Sequence, residues 1–212
     1  MELRGKTINI LGDSITYGLG TGDINFCYPN VFAELTGAKI NNYGVSGTRL
    51  AKRIVPHETK EFDVDFQIRM QEMDEKADAV VVFGGTNDYG HGDAPMGDMD
   101  SRDPYTFYGA CHIIMDYLSE HYCGKPIVFM TPLHRAGENE KNELGHILKE
   151  YVDIIREVAE FYSIAVLDLY KMSGITPNVP KGREALMPDG LHPSRAGARI
   201  IAERLKGFME AL

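Results

Sequence analysis

Residues 7–14 read Thr7-Ile8-Asn9-Ile10-Leu11-Gly12-Asp13-Ser14, and the change of character at Gly12 decides the fold. Thr7 to Leu11 is short and largely apolar, the composition of a strand covered on both faces. Gly-Asp-Ser then breaks it with turn residues. Short apolar runs recur at Ala38 to Asn42, Ala79 to Phe83, Pro126 to Met130 and Ala165 to Leu169. Between and after them, Tyr28 to Leu35, Phe62 to Met73, Pro104 to Tyr122, Glu140 to Phe161 and Ser194 to Met209 have helical spacing, with Pro104 and Ser194 as helix starts. Strands alternating with helices predict an α/β fold: a mostly parallel five-stranded sheet with crossover helices on both faces, in three α/β/α layers.

A chain of 212 residues can build one sizeable core, and no linker, repeat or low-complexity tract divides it, so a single domain over residues 1–212 is expected. With 43% hydrophobic and 25% charged residues, the composition is that of an ordinary globular protein. The net charge of -9 argues against a broad nucleic-acid surface, which needs clustered Lys and Arg. No apolar stretch reaches the length of a membrane span, so no stable membrane insertion is expected. Met1 to Lys6 leads into a strand rather than a signal peptide. Cys27, Cys111 and Cys123 form no CxxC pair and fit reduced thiols in a cytoplasmic protein.

In an open parallel sheet, ligands bind outside the carboxyl ends of the strands. The polar segments Gly12 to Gly22, Tyr43 to Thr48, Gly84 to Asp103 and Thr131 to Gly137 follow strands and should converge on one cleft. Four short stretches stand out: Gly12-Asp13-Ser14, Val45-Ser46-Gly47, Gly84-Gly85-Thr86-Asn87-Asp88 and Asp189-Gly190-Leu191-His192. Taken singly, each has a structural reading. Ser14 is a good helix cap, Gly47 and Asn87 are ordinary turn residues, and His192-Pro193 leads into the last helix. Taken in order, they resemble the SGNH hydrolases, the GDSL-type esterases and lipases, over residues 12 to 192.

That resemblance implies a flavodoxin-like sheet and a serine hydrolase with Ser14 as nucleophile, His192 as general base and Asp189 as the group that orients the imidazole. It also implies an oxyanion hole built from the backbone N–H groups of Ser14 and Gly47 and the side-chain amide of Asn87. The roles suit the residue types. A serine hydroxyl needs an adjacent base to become a nucleophile, glycine leaves its N–H open to close approach, and an amide donates without carrying charge. His192 must be neutral to accept a proton, so activity should fall at acidic pH. No metal and no organic cofactor is required by this scheme.

Asp13, Tyr17, Arg49, Tyr89 and His134 adjoin the four stretches and are candidates for substrate binding, with Arg49 suited to a polar or anionic group. His91, Asp93, Asp98, Asp100 and Asp103 invite a metal reading but lack EF-hand spacing. The series Gly18-Leu19-Gly20-Thr21-Gly22 follows a strand without the GK[ST] ending of a phosphate loop, which leaves a nucleotide- or carbohydrate-binding module as the alternative of a different class. Within the hydrolase reading, the polar loop after Asn87 and the absence of tryptophan favour short acyl esters, with an O-acetyl group on a carbohydrate first. A lysophospholipase or thioesterase is the alternative within the family.

Overall fold

The structure is a computed structural model, and it describes residues 1–57 and 63–212. Strands β1 (Thr7–Gly12), β2 (Lys39–Gly44), β3 (Ala79–Phe83), β4 (Ile127–Met130) and β5 (Ala165–Leu167) form one sheet. The strand order is 2-1-3-4-5, and every pair is parallel. It reverses direction at β1, which pairs with β2 on one side and β3 on the other, so the chain end of β1 opens onto the crevice where such sheets bind ligands.

Side chains alternate across the sheet and build two cores. Ile8, Ile10, Val81, Phe83, Val128 and Met130 face α2 (Tyr28–Thr36) and α9 (Arg195–Ala211). Leu11, Val80, Val82 and Phe129 face the layer of α3 (Phe66–Arg69), α5 (Phe107–His121) and α6 (Leu148–Phe161). Period-two alternation with apolar residues on both faces is the pattern of a doubly covered sheet. The expected three-layer α/β architecture is thus present.

Edge strand β2 departs from the expected apolar type: Lys39, Asn41, Asn42 and Tyr43 keep its residues partly or fully exposed. Its asparagines act as staples. Asn41 donates to Asn9 Oδ1 at 2.9 Å, and Asn42 donates to the Thr16 carbonyl at 3.2 Å. Asn9, wholly buried on β1, also donates to Tyr122 Oη, so its polar atoms are satisfied inside the core.

Three helices begin later than their periodicity suggests, each because a side chain claims the preceding backbone. Phe62 lies outside the described residues, and α3 starts at Phe66, where Asp65 accepts from the Gln67 and Ile68 amides. Thr106, not Pro104, caps α5 by accepting from Gly109 N. The stretch 140–147 folds as a loop around Asn142, whose Oδ1 accepts from Leu144 and His146 and whose amide donates to Tyr89 O and Tyr151 Oη. Ser194 caps α9 as the sequence predicts. Short helices α1 (Ser14–Tyr17), α4 (Thr86–His91), α7 (Leu169–Met172) and α8 (Pro180–Leu186) were not legible as periodic segments.

Candidate active site

Asp13 organises the turn after β1. Its carboxylate accepts from Ile15 N at 2.9 Å and so caps α1, placing Ser14 at the first helical position. Gly18, left-handed at φ +106°, ends that helix after one turn. Ser14 is thereby presented at the end of β1, where its Oγ lies 3.0 Å from His192 Nε2.

His192 is held from the other side. Its Nδ1 lies 2.7 Å from Asp189 Oδ2, and the other carboxylate oxygen accepts from the backbone of Leu191 at 2.8 Å and of His192 at 2.7 Å. One Asp-x-x-His turn therefore fixes both position and tautomer: a proton on Nδ1 facing Asp189 leaves the Nε2 lone pair toward Ser14. Burial pushes the Asp189 carboxyl up, but the two amides and the imidazole outweigh it and hold the group below the usual carboxylate range. The turn is tied to the loop after β4, where Ala136 N donates to Gly190 O at 2.7 Å.

The glycine series beyond α1 has a packing role here. Gly20 sits at φ +96°, and a Cβ on it would lie 2.7 Å from His192 Cβ and from the Pro193 carbonyl. A side chain would displace the histidine, which gives Gly20 a structural reason for being glycine.

Gly47 lies in the loop after β2 with φ +77°, and Asn87 lies in the first turn of α4. One N–H of the Asn87 amide donates to Thr48 O at 2.9 Å, linking the two segments and leaving the second N–H of that amide for another acceptor. Arg69 braces the same loop by donating to Thr48 Oγ1 at 2.7 Å and to the Tyr43 carbonyl. Burial lowers the Arg69 guanidinium to about 10, against the opposing pull of the Asp13 charge. Asp88 accepts from Leu50 N and Ala51 N, fastening the next residues to α4, and burial raises its carboxyl to about 6. Arg135 donates to Thr86 O at 3.0 Å, and its guanidinium lies 5.3 Å from the centre of the Tyr89 ring. Arg69 and Arg135 lie outside every motif, so periodicity and spacing give no signal for them; Asp88 closes the Gly84-Gly85-Thr86-Asn87-Asp88 stretch, but its bond to the Leu50 and Ala51 amides is visible only in the fold.

The five candidate substrate-binding residues separate in space. Asp13 is 1% exposed and its carboxyl caps α1; burial raises that carboxyl to about 7. Tyr89 is likewise buried, with its hydroxyl 2.6 Å from Gly137 O and 2.9 Å from Glu140 O, so it fastens a loop. His134 has Nδ1 at 2.9 Å from the Glu138 carboxylate and its ring tilted over Tyr170. Tyr17 is exposed, and Arg49 is buried next to the loop of Gly47. Of the acidic loop, Asp93 accepts from Ile54 N and Val55 N, Asp98 from Asp100 N and Asp103 from Tyr105 N. Cys27 and Cys111 are buried and Cys123 is exposed, all as free thiols. Among the described residues no helix is long and apolar enough to cross a membrane.

Comparison with known proteins agrees with this geometry. The profile of the GDSL-like lipase/acylhydrolase family matches residues 10–200. A crystal structure 35% identical to this chain superposes with a TM-score of 0.88 over 100% of this chain and 99% of its own. A protein from Lactobacillus plantarum is 29% identical, with a TM-score of 0.86 over 99% of this chain and 98% of its own. A "possible lipase" from Chitinophaga pinensis, 23% identical, shares the fold with a TM-score of 0.74 over 97% of this chain and 98% of its own. No curated protein matches. The chain is a member of the GDSL-like lipase/acylhydrolase family, and with it an ester hydrolase.

Proposed function

We propose that the protein is a serine esterase that cleaves short acyl esters through an acyl-serine intermediate, with Ser14, His192 and Asp189 as its catalytic residues. The observation that carries this reading is the unbroken relay from Ser14 Oγ to His192 Nε2 at 3.0 Å and from His192 Nδ1 to Asp189 Oδ2 at 2.7 Å. Ser14 Oγ forms a bond to the acyl carbon as His192 Nε2 takes its proton, and the carbonyl π electrons move onto oxygen. His192 then returns the proton to the leaving alcohol as the ester C–O bond breaks. Water repeats the sequence on the acyl-serine, again with His192 as base, and releases the acid. Asp189 stays ionised throughout and stabilises the imidazolium.

The transient oxyanion is received by the N–H groups of Ser14 and Gly47 and the free N–H of Asn87. Each such donor contributes about 3 kcal/mol to the transition state. The substrate reading is a short acyl group, acetyl first, on a carbohydrate. It is supported by a cavity of about 410 Å³ lined by Gly47, Arg53, His57 and His91, whose guanidinium and imidazole groups can hydrogen-bond a hydroxyl-rich alcohol.

Turnover of p-nitrophenyl acetate and labelling by a serine-directed phosphonate test the mechanism, with both expected in the intact protein and neither in Ser14→Ala. Absence of both in the intact protein sinks it. An ester series from acetyl to decanoyl, followed by acetylated sugars, tests the substrate. Preference for the longest chains rejects the short-acyl reading.

A further inference from the structure

The loop 49–57 after Gly47 is fastened by three carboxylates. Asp88 takes the amides of Leu50 and Ala51, Asp93 those of Ile54 and Val55, and Asp63 that of His57. These same three carboxylates are the ones whose charge reaches the Arg49 guanidinium, yet none forms an ion pair with it. Arg49 is 2% exposed, and its Nη1 is buried without a hydrogen-bond partner. A buried guanidinium donor left unmatched is costly, and in a native fold it calls for an acceptor. Arg53, four residues on, uses Nε on Val55 O at 2.9 Å, has no carboxylate partner among the described residues, and lines the cavity next to Gly47.

We infer that this cavity receives an anionic group, a carboxylate or phosphate, on the part of the substrate beyond the scissile ester, with Arg53 as its charge partner. The inference rests on the esterase reading and narrows its substrate to a negatively charged ester. Several features converge on it. Gly47 lines the cavity, which puts it next to the expected oxyanion hole. A volume of about 410 Å³ holds roughly a dozen waters, space for a sugar-sized group with an acidic substituent. His91 on the same wall is held below the usual histidine range by burial and then by the Arg49 charge, so it stays neutral and offers an uncharged hydrogen bond. Guanidinium recognises carboxylate and phosphate in a fixed fork geometry.

Acetate release from 4-acetoxybenzoate is compared with release from its neutral isostere 4-acetoxybenzamide. The ratio of the two kcat/KM values should fall roughly tenfold in Arg53→Ala, the loss expected of one charge-assisted hydrogen bond, and recover in part in Arg53→Lys. As a readout independent of turnover, inorganic phosphate should raise the melting temperature of the intact protein more than that of Arg53→Ala. A ratio that stays within about twofold of the parent's, or equal phosphate shifts in the two proteins, overturns the inference. Failure of the esterase reading looks different: the intact protein then releases acetate from neither compound and Ser14 takes no phosphonate.

Discussion

Asn87→Ala separates a transition-state donor from a structural one, because the residue holds both positions at once. One N–H of its amide is occupied by Thr48 O at 2.9 Å, and the other is proposed to meet the oxyanion. Loss of the first removes one buried hydrogen bond, about 1 kcal/mol. In a domain of this length that lowers the melting temperature by about 2–4 °C. Loss of the second should cost about 3 kcal/mol of barrier, a fall in kcat of about 10²–10³. The two effects are measured on the same protein: kcat and KM for p-nitrophenyl acetate at constant pH, and thermal unfolding. The expected result is a large fall in kcat with KM changed little, since the donor acts where charge develops and not where substrate rests. A kcat within about fivefold of the parent, with the same small loss of stability, would refute the assignment and leave Asn87 only its tie to Thr48.

Other perturbations test the surrounding construction. Asp189→Ala should reduce turnover less than Ser14→Ala, because Asp189 orients the base without bonding to the acyl group; equal loss in two folded variants contradicts that order. Asp13 is raised by burial to about 7, so the folded state holds a proton that the unfolded state has lost above its ordinary value near 3.8. Its contribution to stability is present below that lower value and is lost as pH rises through about 7. Asp13→Asn keeps an oxygen for the Ile15 cap and has no such titration, so its melting temperature should gain on the parent's between pH 5 and pH 8. A difference that is constant with pH would count against the buried, protonated Asp13. Tyr89→Phe should lower stability by about 1 kcal/mol while turnover stays near the parent's; loss of activity without loss of stability would return Tyr89 to the pocket.

Serine, histidine and aspartate could be picked out because the chemistry of each is local. The Gly-Asp-Ser turn and the Asp-x-x-His turn are each closed within a few residues, by the Ile15 amide in one case and the Leu191 and His192 amides in the other. Elements with long apolar periods were equally legible, which is why the sheet and α9 fall where the periodicity puts them. The start of α6 was not, because Asn142 breaks the helical pattern through bonds that include one to Tyr89 O, 53 residues earlier in the chain.

Sequence by itself determined the two-sided burial of β1 and β3, the order of the candidate catalytic segments and the type of reaction, since alternation, turn chemistry and nucleophile chemistry all act over short ranges. Only the tertiary structure decided which charges are spent and which are left over. Asp13 and Tyr89 adjoin the motif stretches on paper, and the fold shows them bonded to the Ile15 amide and to the carbonyls of Gly137 and Glu140. Arg49 stands out on paper only by adjoining a motif and Arg53 not at all, yet both are without carboxylate partners among the described residues, because the nearby aspartates are turned toward backbone amides. Whether a polar side chain holds the fold or faces a ligand depends on which donors and acceptors surround it, and the packing of remote segments sets that environment.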